Sequence, residues 1–150
     1  TLCFGYALKE DLSKTIEACS EAVTLFNATG AEEGLENIYT YGSYGNALTH
    51  SGNLHDGEIY LRKCLAVLEK VSPTNEVFIA VGKSALGENL LAQNRIDEAK
   101  PLIEDTYPII KAKLGDQHRT TIGALKRLVT FYEKTNNTDL ANKYRAQLPK

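Results

Sequence analysis

The side chains best suited to chemistry are few in this chain of 150 residues, and their spacing argues against most of what they could do. His50, His55 and His118 are its histidines. His50 and His55 straddle a turn, with no cysteine or acid at metal-ligand spacing, so no metal site is expected. Asp97-Glu98 and Glu104-Asp105 set carboxylates side by side on a helical stretch. Such neighbours describe a solvated face more simply than a proton-transfer pair. No serine or cysteine is paired with a histidine as nucleophile and base. The glycines lack the spacing of a phosphate loop behind a strand, and no strand is evident. We therefore expect no cofactor and no catalysis from this segment, any catalytic domain lying upstream. What remains is recognition.

The elements that would carry recognition are organised around residues 86–103, Leu86-Gly87 through Leu102-Ile103. Leu86 and Leu90 share one helical face, being four apart. Asn94 stands where a helix stop favours a residue tolerant of positive φ. Ile96, Ala99 and Ile103 restart an apolar stripe, and Gly87 and Ala99 are small where two antiparallel helices would touch. The pattern recurs: Leu12, Leu54, Ile96 and Thr138 stand 42 residues apart. On that register the turn residues are Glu10, Gly52, Asn94 and Asn136, and the small second-helix residues are Thr15, Gly57, Ala99 and Ala141. The first-helix apolar positions are Leu2, Tyr44, Leu86 and Leu128, followed one turn later by Tyr6, Leu48, Leu90 and Tyr132. A fixed period of helix-turn-helix units is the signature of a solenoid.

At these residues the chain resembles the tetratricopeptide repeat (TPR) family. Leu86-Gly87, Leu90, Ala99 and Ile103 match its pattern, as do Tyr44-Gly45, Leu48, Gly57 and Leu61. In the last copy Leu128, Tyr132 and Ala141 fit, while Val129 replaces the glycine and Arg145 the large apolar residue. The period exceeds the usual ~34 and is similar to the longer-helix variety of kinesin light chains, whose inter-repeat linker the segment from Leu114 to Thr120 resembles. The resemblance implies an all-α, right-handed α-solenoid of antiparallel helix pairs in a single domain. It has a partial repeat at 1–30 and repeats at 31–73, 74–115 and 116–150.

The resemblance also implies a concave face lined by first helices, where a protein or peptide partner binds. The positions it gives are Tyr39, Gly42, Asn46, Thr49 and His50, then Val81, Ser84, Glu88, Leu91 and Ala92, then Gly123, Lys126, Thr130, Glu133 and Lys134. The ligand-binding set expected from these is Tyr39, Asn46, Thr49, His50, Ser84, Glu88, Lys126 and Thr130. Asn46 and Lys126 resemble parts of a carboxylate-clamping ladder, and Glu88 would repel a carboxylate. The tail from Leu128 to Pro149 resembles the C-terminal repeat region of some bacterial serine/threonine kinases, which gives an alternative: a regulatory or scaffolding region of a multidomain signalling protein.

Composition sets further bounds. A net charge of −2 does not favour nucleic acid. No apolar run approaches the ~18 residues of a membrane span, so no membrane insertion is expected of this segment. Three cysteines are too few and too odd in number for a disulfide scaffold, and Cys19 and Cys64, on the inner stripes of second helices, are expected as buried thiols. That favours the cytoplasm without naming a compartment. The lack of methionine and the start at Thr1 suggest a fragment or processed chain. Its N-terminal end, bearing Leu2, Phe4 and Tyr6, is expected to self-associate or to be covered by upstream residues.

The local reading predicts seven full-length helices and an N-terminal remnant with Leu2 and Tyr6 facing inward. Thr29 or Gly30 would cap the helix from about Glu32 to Ser51, helped by Glu32 and Glu33. Thr74 and Asp116 are the other expected caps. Pro108 should bend the helix from Ile96 to Leu114 near Glu104, because it removes the bond to that carbonyl.

Overall fold

The computed structural model describes residues 2–31 and 34–149, and all regular structure among them is helical. The order is α1 (Leu2–Leu8), α2 (Leu12–Thr29), α3 (Leu35–His50), α4 (Leu54–Val71), α5 (Glu76–Ala92), α6 (Ile96–Glu104), α7 (Thr106–Leu114), α8 (Arg119–Lys134) and α9 (Thr138–Arg145). This is the all-α solenoid class, built of antiparallel helix pairs.

The pairs share one turn. Glu10 (φ 59°), Gly52 (88°), Asn94 (64°) and Asn136 (58°) all take positive φ, at the spacing of 42 expected from the sequence. At Glu10, Asn94 and Asn136 the hydrogen bonds repeat as well. The turn residue's N–H donates to the carbonyl three back (3.2, 3.0 and 3.1 Å), and the next N–H to the carbonyl five residues before it (3.3, 2.9 and 2.9 Å). That pairing satisfies carbonyls orphaned at a helix end. Glu10 adopts the conformation without a side chain suited to it, at a cost of about 1–2 kcal/mol. The small residues beyond each turn are all buried: Thr15, Gly57, Ala99 and Ala141.

The chain divides into two compact units, Thr1–Asn75 and Glu76–Lys150, at the Ser72–Asn75 linker. In the first unit α1 packs on α2 and α3, α2 on α3, and α3 on α4. Its core includes Cys19, Val23 and Phe26 of α2, Tyr41 and Leu48 of α3, and Leu61 and Leu68 of α4. Gly45 brings α3 against α4: a Cβ there would lie 2.7 Å from Leu61 Cγ and 2.9 Å from the Leu61 nitrogen. In the second unit α5 packs on α6 and α7, and α8 packs on α9 and on α5, α6 and α7. Gly87 repeats the role of Gly45, with Ile103 Cγ1 2.7 Å from where its Cβ would be.

Several expectations need correction. Cys3 and Cys19 form a disulfide, with Cα atoms 4.9 Å apart, and Cys64 alone is a free, buried thiol. Cys3 lies seven residues before Glu10 and Cys19 nine after it, and the turn folds α1 back on α2 so that the two meet. Leu2 points outward, 74% exposed, and Cys3 takes the inward position in α1. Gly30 closes α2 instead of opening α3, its N–H bonding to the Phe26 carbonyl at φ 67°. Glu32 and Glu33, expected to aid the next helix, lie outside the described residues. His118, not Asp116, caps α8, its Nδ1 accepting from the Thr120 N–H at 3.1 Å. Asp116 is paired with Lys111 instead. Helix α5 starts at Glu76, which leaves Thr74 two residues ahead of it.

The expected bend is a break. The helix from Ile96 to Leu114 is split at Asp105, three residues before Pro108. Pro108 cannot donate to the Glu104 carbonyl, and its ring crowds that peptide. Asp105 keeps a helical backbone (φ −77°, ψ −24°) and its N–H still reaches the Pro101 carbonyl at 3.1 Å, so the interruption is local.

Candidate functional site

In the first unit the face in question is the outer side of α3. Its inner side is fixed by Ile38, Tyr41, Gly45 and Leu48, all buried. Tyr39 therefore points outward, 40% exposed, with its ring 5.1 Å from that of Phe4 on α1. Asn46 follows two turns on, half-buried, and His50 ends the helix exposed, where a cationic form would complement the dipole. Thr49 is not on this face. It is buried, and its hydroxyl donates to the Gly45 carbonyl at 2.8 Å. Gly42 is turned toward α4, where an added Cβ would come 3.3 Å from Cys64 Sγ. Burial raises the Cys64 thiol to about 11, so it stays protonated and unreactive near neutrality.

In the second unit the outer sides of α5 and α8 carry the remaining positions. Ser84 is 1% exposed, with a buried hydroxyl that finds no hydrogen-bond partner, so it belongs to the packing and not to the surface. Leu91 is also buried. Glu88 is half-buried and accepts from Arg127 Nε at 2.5 Å, an ion pair that joins α5 to α8. Lys126 and Thr130 are exposed on α8, and Lys134 donates to the Leu91 carbonyl. Gly123 leaves an open stretch of α8, the nearest atom to an added Cβ being Arg127 Nη1 at 3.9 Å.

Arg127 is the residue that sequence reasoning missed. With its guanidinium on Glu88, that carboxylate no longer presents an unbalanced negative charge. A signal was available: Thr130 is the register equivalent of Glu88, and Arg127 lies one turn before Thr130. Glu133 is likewise balanced, by Arg145. Behind this face Tyr132 donates to Glu104 Oε1 at 2.8 Å and stacks on Tyr144, tying α6, α8 and α9 together. Burial, and then the Glu104 carboxylate, hold the Tyr132 hydroxyl far above its ordinary range. Among the described residues no group of three or more His, Cys, Asp or Glu could hold a metal ion, and no helix is long and apolar enough to cross a membrane.

The fold and these faces define a class, the repeat proteins made of antiparallel helical hairpins. No family model matches the chain, and no curated protein does. Solved structures do match. A kinesin light chain of Podosopora anserina with nearly identical TPR-like repeats superposes with a TM-score of 0.65 at 17% identity, over 97% of this chain and 69% of that one. A single-substitution form of the same repeats gives 0.68 at 17% identity, over 97% and 71%. The chain thus has the TPR-like repeat fold, in the kinesin-light-chain-like form.

Proposed function

We propose that this chain is an interaction module that binds a protein or peptide partner along the outer sides of its first helices. In the first unit the contact residues are Tyr39, Asn46 and His50; in the second they are Glu88, Lys126 and Thr130. The observation that carries this reading is Tyr39. It is an aromatic ring left 40% exposed on a helix whose opposite side is committed to the core. Aromatic side chains that reach water while braced by neighbours are favoured anchors in recognition. Thr49 and Ser84, being buried, support the helices and do not touch the partner. In this reading the segment is a non-catalytic scaffold with repeats at 31–73, 74–115 and 116–150.

Affinity capture with the intact chain tests it, comparing wild type with a Tyr39→Ala, Asn46→Ala and Glu88→Ala triple variant. Loss of one or more partners by the variant supports the reading, and equal recovery of all of them counts against these faces. The N-terminal end, with Leu2 and Phe4 exposed, supports self-association as a second mode, which sedimentation across micromolar concentrations resolves. The rival reading, a C-terminal region of a bacterial serine/threonine kinase, requires a His-Arg-Asp motif in the upstream reading frame.

A further inference from the structure

We propose that Tyr41, Tyr44 and Tyr60 form an aromatic platform that takes the guanidinium of an arginine on a partner, and that Lys63 is the resident cation it displaces. The platform is built where α3 and α4 pack on each other. Tyr41 and Tyr44 are three apart on α3, so they share a face. Tyr60 comes from α4, its ring centroid 4.5 Å from that of Tyr44 and 5.9 Å from that of Tyr41. Phe26 of α2 braces Tyr41 edge-on at 6.2 Å. Tyr41 is buried, whereas Tyr44 and Tyr60 are half-buried, so the platform has a fixed floor and two rings that reach water.

Lys63 shows what this platform holds. Its ammonium lies 5.5 Å from the Tyr60 centroid and 5.9 Å from the Tyr41 centroid, within the range of a cation–π contact. The Tyr60 contact is local to α4, and the Tyr41 contact crosses to α3. Residues 1–75 hold 10 Asp and Glu against 5 Lys and Arg, so carboxylates are in excess. The neighbouring Arg62 takes one of them, Glu58, at 2.8 Å. Lys63 makes no ion pair among the described residues and lies on the rings instead.

Arginine is the group this seat favours. Its guanidinium is planar, less strongly hydrated than an ammonium and able to stack on a ring face, so it gains more from the rings than Lys63 does. The hydroxyls of Tyr44 and Tyr60 have no hydrogen-bond partner among the described residues, which leaves their oxygens to accept from its N–H groups. Burial, then Tyr44 and the Asp56 carboxylate, raise the Tyr60 hydroxyl, so that ring stays neutral beside a negative charge. In the second unit the corresponding ring is committed. The register equivalent of Tyr60 there is Tyr144, which lies parallel on Tyr132, itself bonded to Glu104. Lys143 reaches Tyr144 alone, at 5.7 Å, where Lys63 spans rings of two helices. The platform uses none of the contact residues proposed above, so the two readings stand or fall separately.

The test titrates the intact chain with three blocked tripeptides, Gly-Arg-Gly, Gly-Lys-Gly and Gly-Gly-Gly, and follows the tyrosine ring protons by NMR. Gly-Arg-Gly should shift Tyr44 and Tyr60 saturably and more tightly than Gly-Lys-Gly, and Gly-Gly-Gly should shift neither. Lys63→Ala should tighten the arginine peptide at least about twofold, the least that freeing an exposed cation–π contact gives. Arg62→Ala removes the same charge without uncovering a ring and should change binding less. Tyr60→Leu should abolish it. Leucine already fills the equivalent position at Leu102, so that variant is expected to fold; if it does not, Lys63→Ala, a change at an exposed side chain, decides alone. Unshifted Tyr44 and Tyr60 rings would overturn the proposal, as would full binding by Tyr60→Leu. So would unchanged or weaker binding by Lys63→Ala, or equal tightening by Arg62→Ala, which would reduce the effect to net charge. Gly-Lys-Gly bound as tightly as Gly-Arg-Gly would overturn arginine as the occupant.

Discussion

The two units answer the same geometric problem differently. Residues 1–75 hold 5 Lys and Arg against 10 Asp and Glu, a net charge of −5, whereas residues 76–150 hold 12 against 9, a net charge of +3. In the first unit Leu2, Leu8, Leu25 and Leu35 are each more than half exposed. In the second, the most exposed large apolar side chains among the described residues are Phe78 and Ile109, at 43% and 38%. In the first unit α1 is joined to α2 by a disulfide, and in the second α9 is held to α8 by the stack of Tyr144 on Tyr132. A helical repeat buries its apolar face only against a neighbour. The outer side of α9 is polar, with Asp139, Asn142, Lys143 and Arg145 exposed, whereas α1 exposes Leu2 and Leu8. One register thus supports both an apolar and a polar outer face.

The largest effect that would break this comparison is at Ala99, which is fully buried where α6 meets α5. Ala99→Arg should cost at least about 4 kcal/mol by forcing a charge into a close helix contact. Amide exchange should then show protection lost in residues 76–149 and kept in α2 to α4, and an unchanged melting temperature would refute the register. Next come Gly45→Ala and Gly87→Ala. Each puts a Cβ 2.7 Å from a neighbouring side chain, Leu61 or Ile103, at a cost of about 1–3 kcal/mol. Urea titration of the two variants should give similar losses; a large loss at Gly87 alone would mean that α3 and α4 are not locked as α5 and α6 are.

A third comparison uses pH. Burial raises Cys64 from an ordinary value of 9.0 to about 11. Its folded value lies above its unfolded one, so the stability it contributes is complete below pH 9 and is lost as pH rises toward 11. The loss should reach about 2 kcal/mol. Between pH 9 and 10 it should fall on the first unit alone, and Cys64→Ser should abolish it. Above pH 10 the raised Tyr60 and Tyr132 bring losses of the same sign to both units. The smallest effect expected is a gain. Glu10→Gly should stabilise the first unit by up to about 1 kcal/mol, because glycine takes φ 59° without strain. A thermal shift downward would show that the Glu10 side chain contributes more than its backbone costs.

The parts of the fold legible in the sequence were those set by local chemistry. Gly52, Asn94 and Asn136 announce positive φ by their own preferences, and the spacing extends the same turn to Glu10, which announces nothing. Gly87 and Ala99 mark a close contact by their size, and Pro108 marks an interruption by its missing N–H. What stayed hidden depended on which side of a helix meets which neighbour. Thr49 and Ser84 look like surface residues until their helices are packed, and then both are buried. Glu88 reads as a lone negative charge until α8 brings Arg127 to it across 39 residues of sequence. Cys3 and Cys19 become partners only when the hairpin folds, which a count of three cysteines does not foretell. Asp116 and His118 compete for one cap, and Asp116 is drawn away by Lys111.

The repeated positive-φ turn makes segment length as restrictive as side-chain identity. Between Gly52 and Asn94 the chain spends 42 residues on two helices and a linker, and each added helical residue rotates everything beyond it by about 100°. An insertion near the start of α4 would therefore turn Leu61, Cys64, Leu65 and Leu68 out of the core in which they are buried, although no contact residue had changed. The same insertion between Ser72 and Asn75 is absorbed, because those residues form no helix and transmit no rotation. Viable length variants of this chain should therefore differ within that linker, or by whole hairpins of 42 residues.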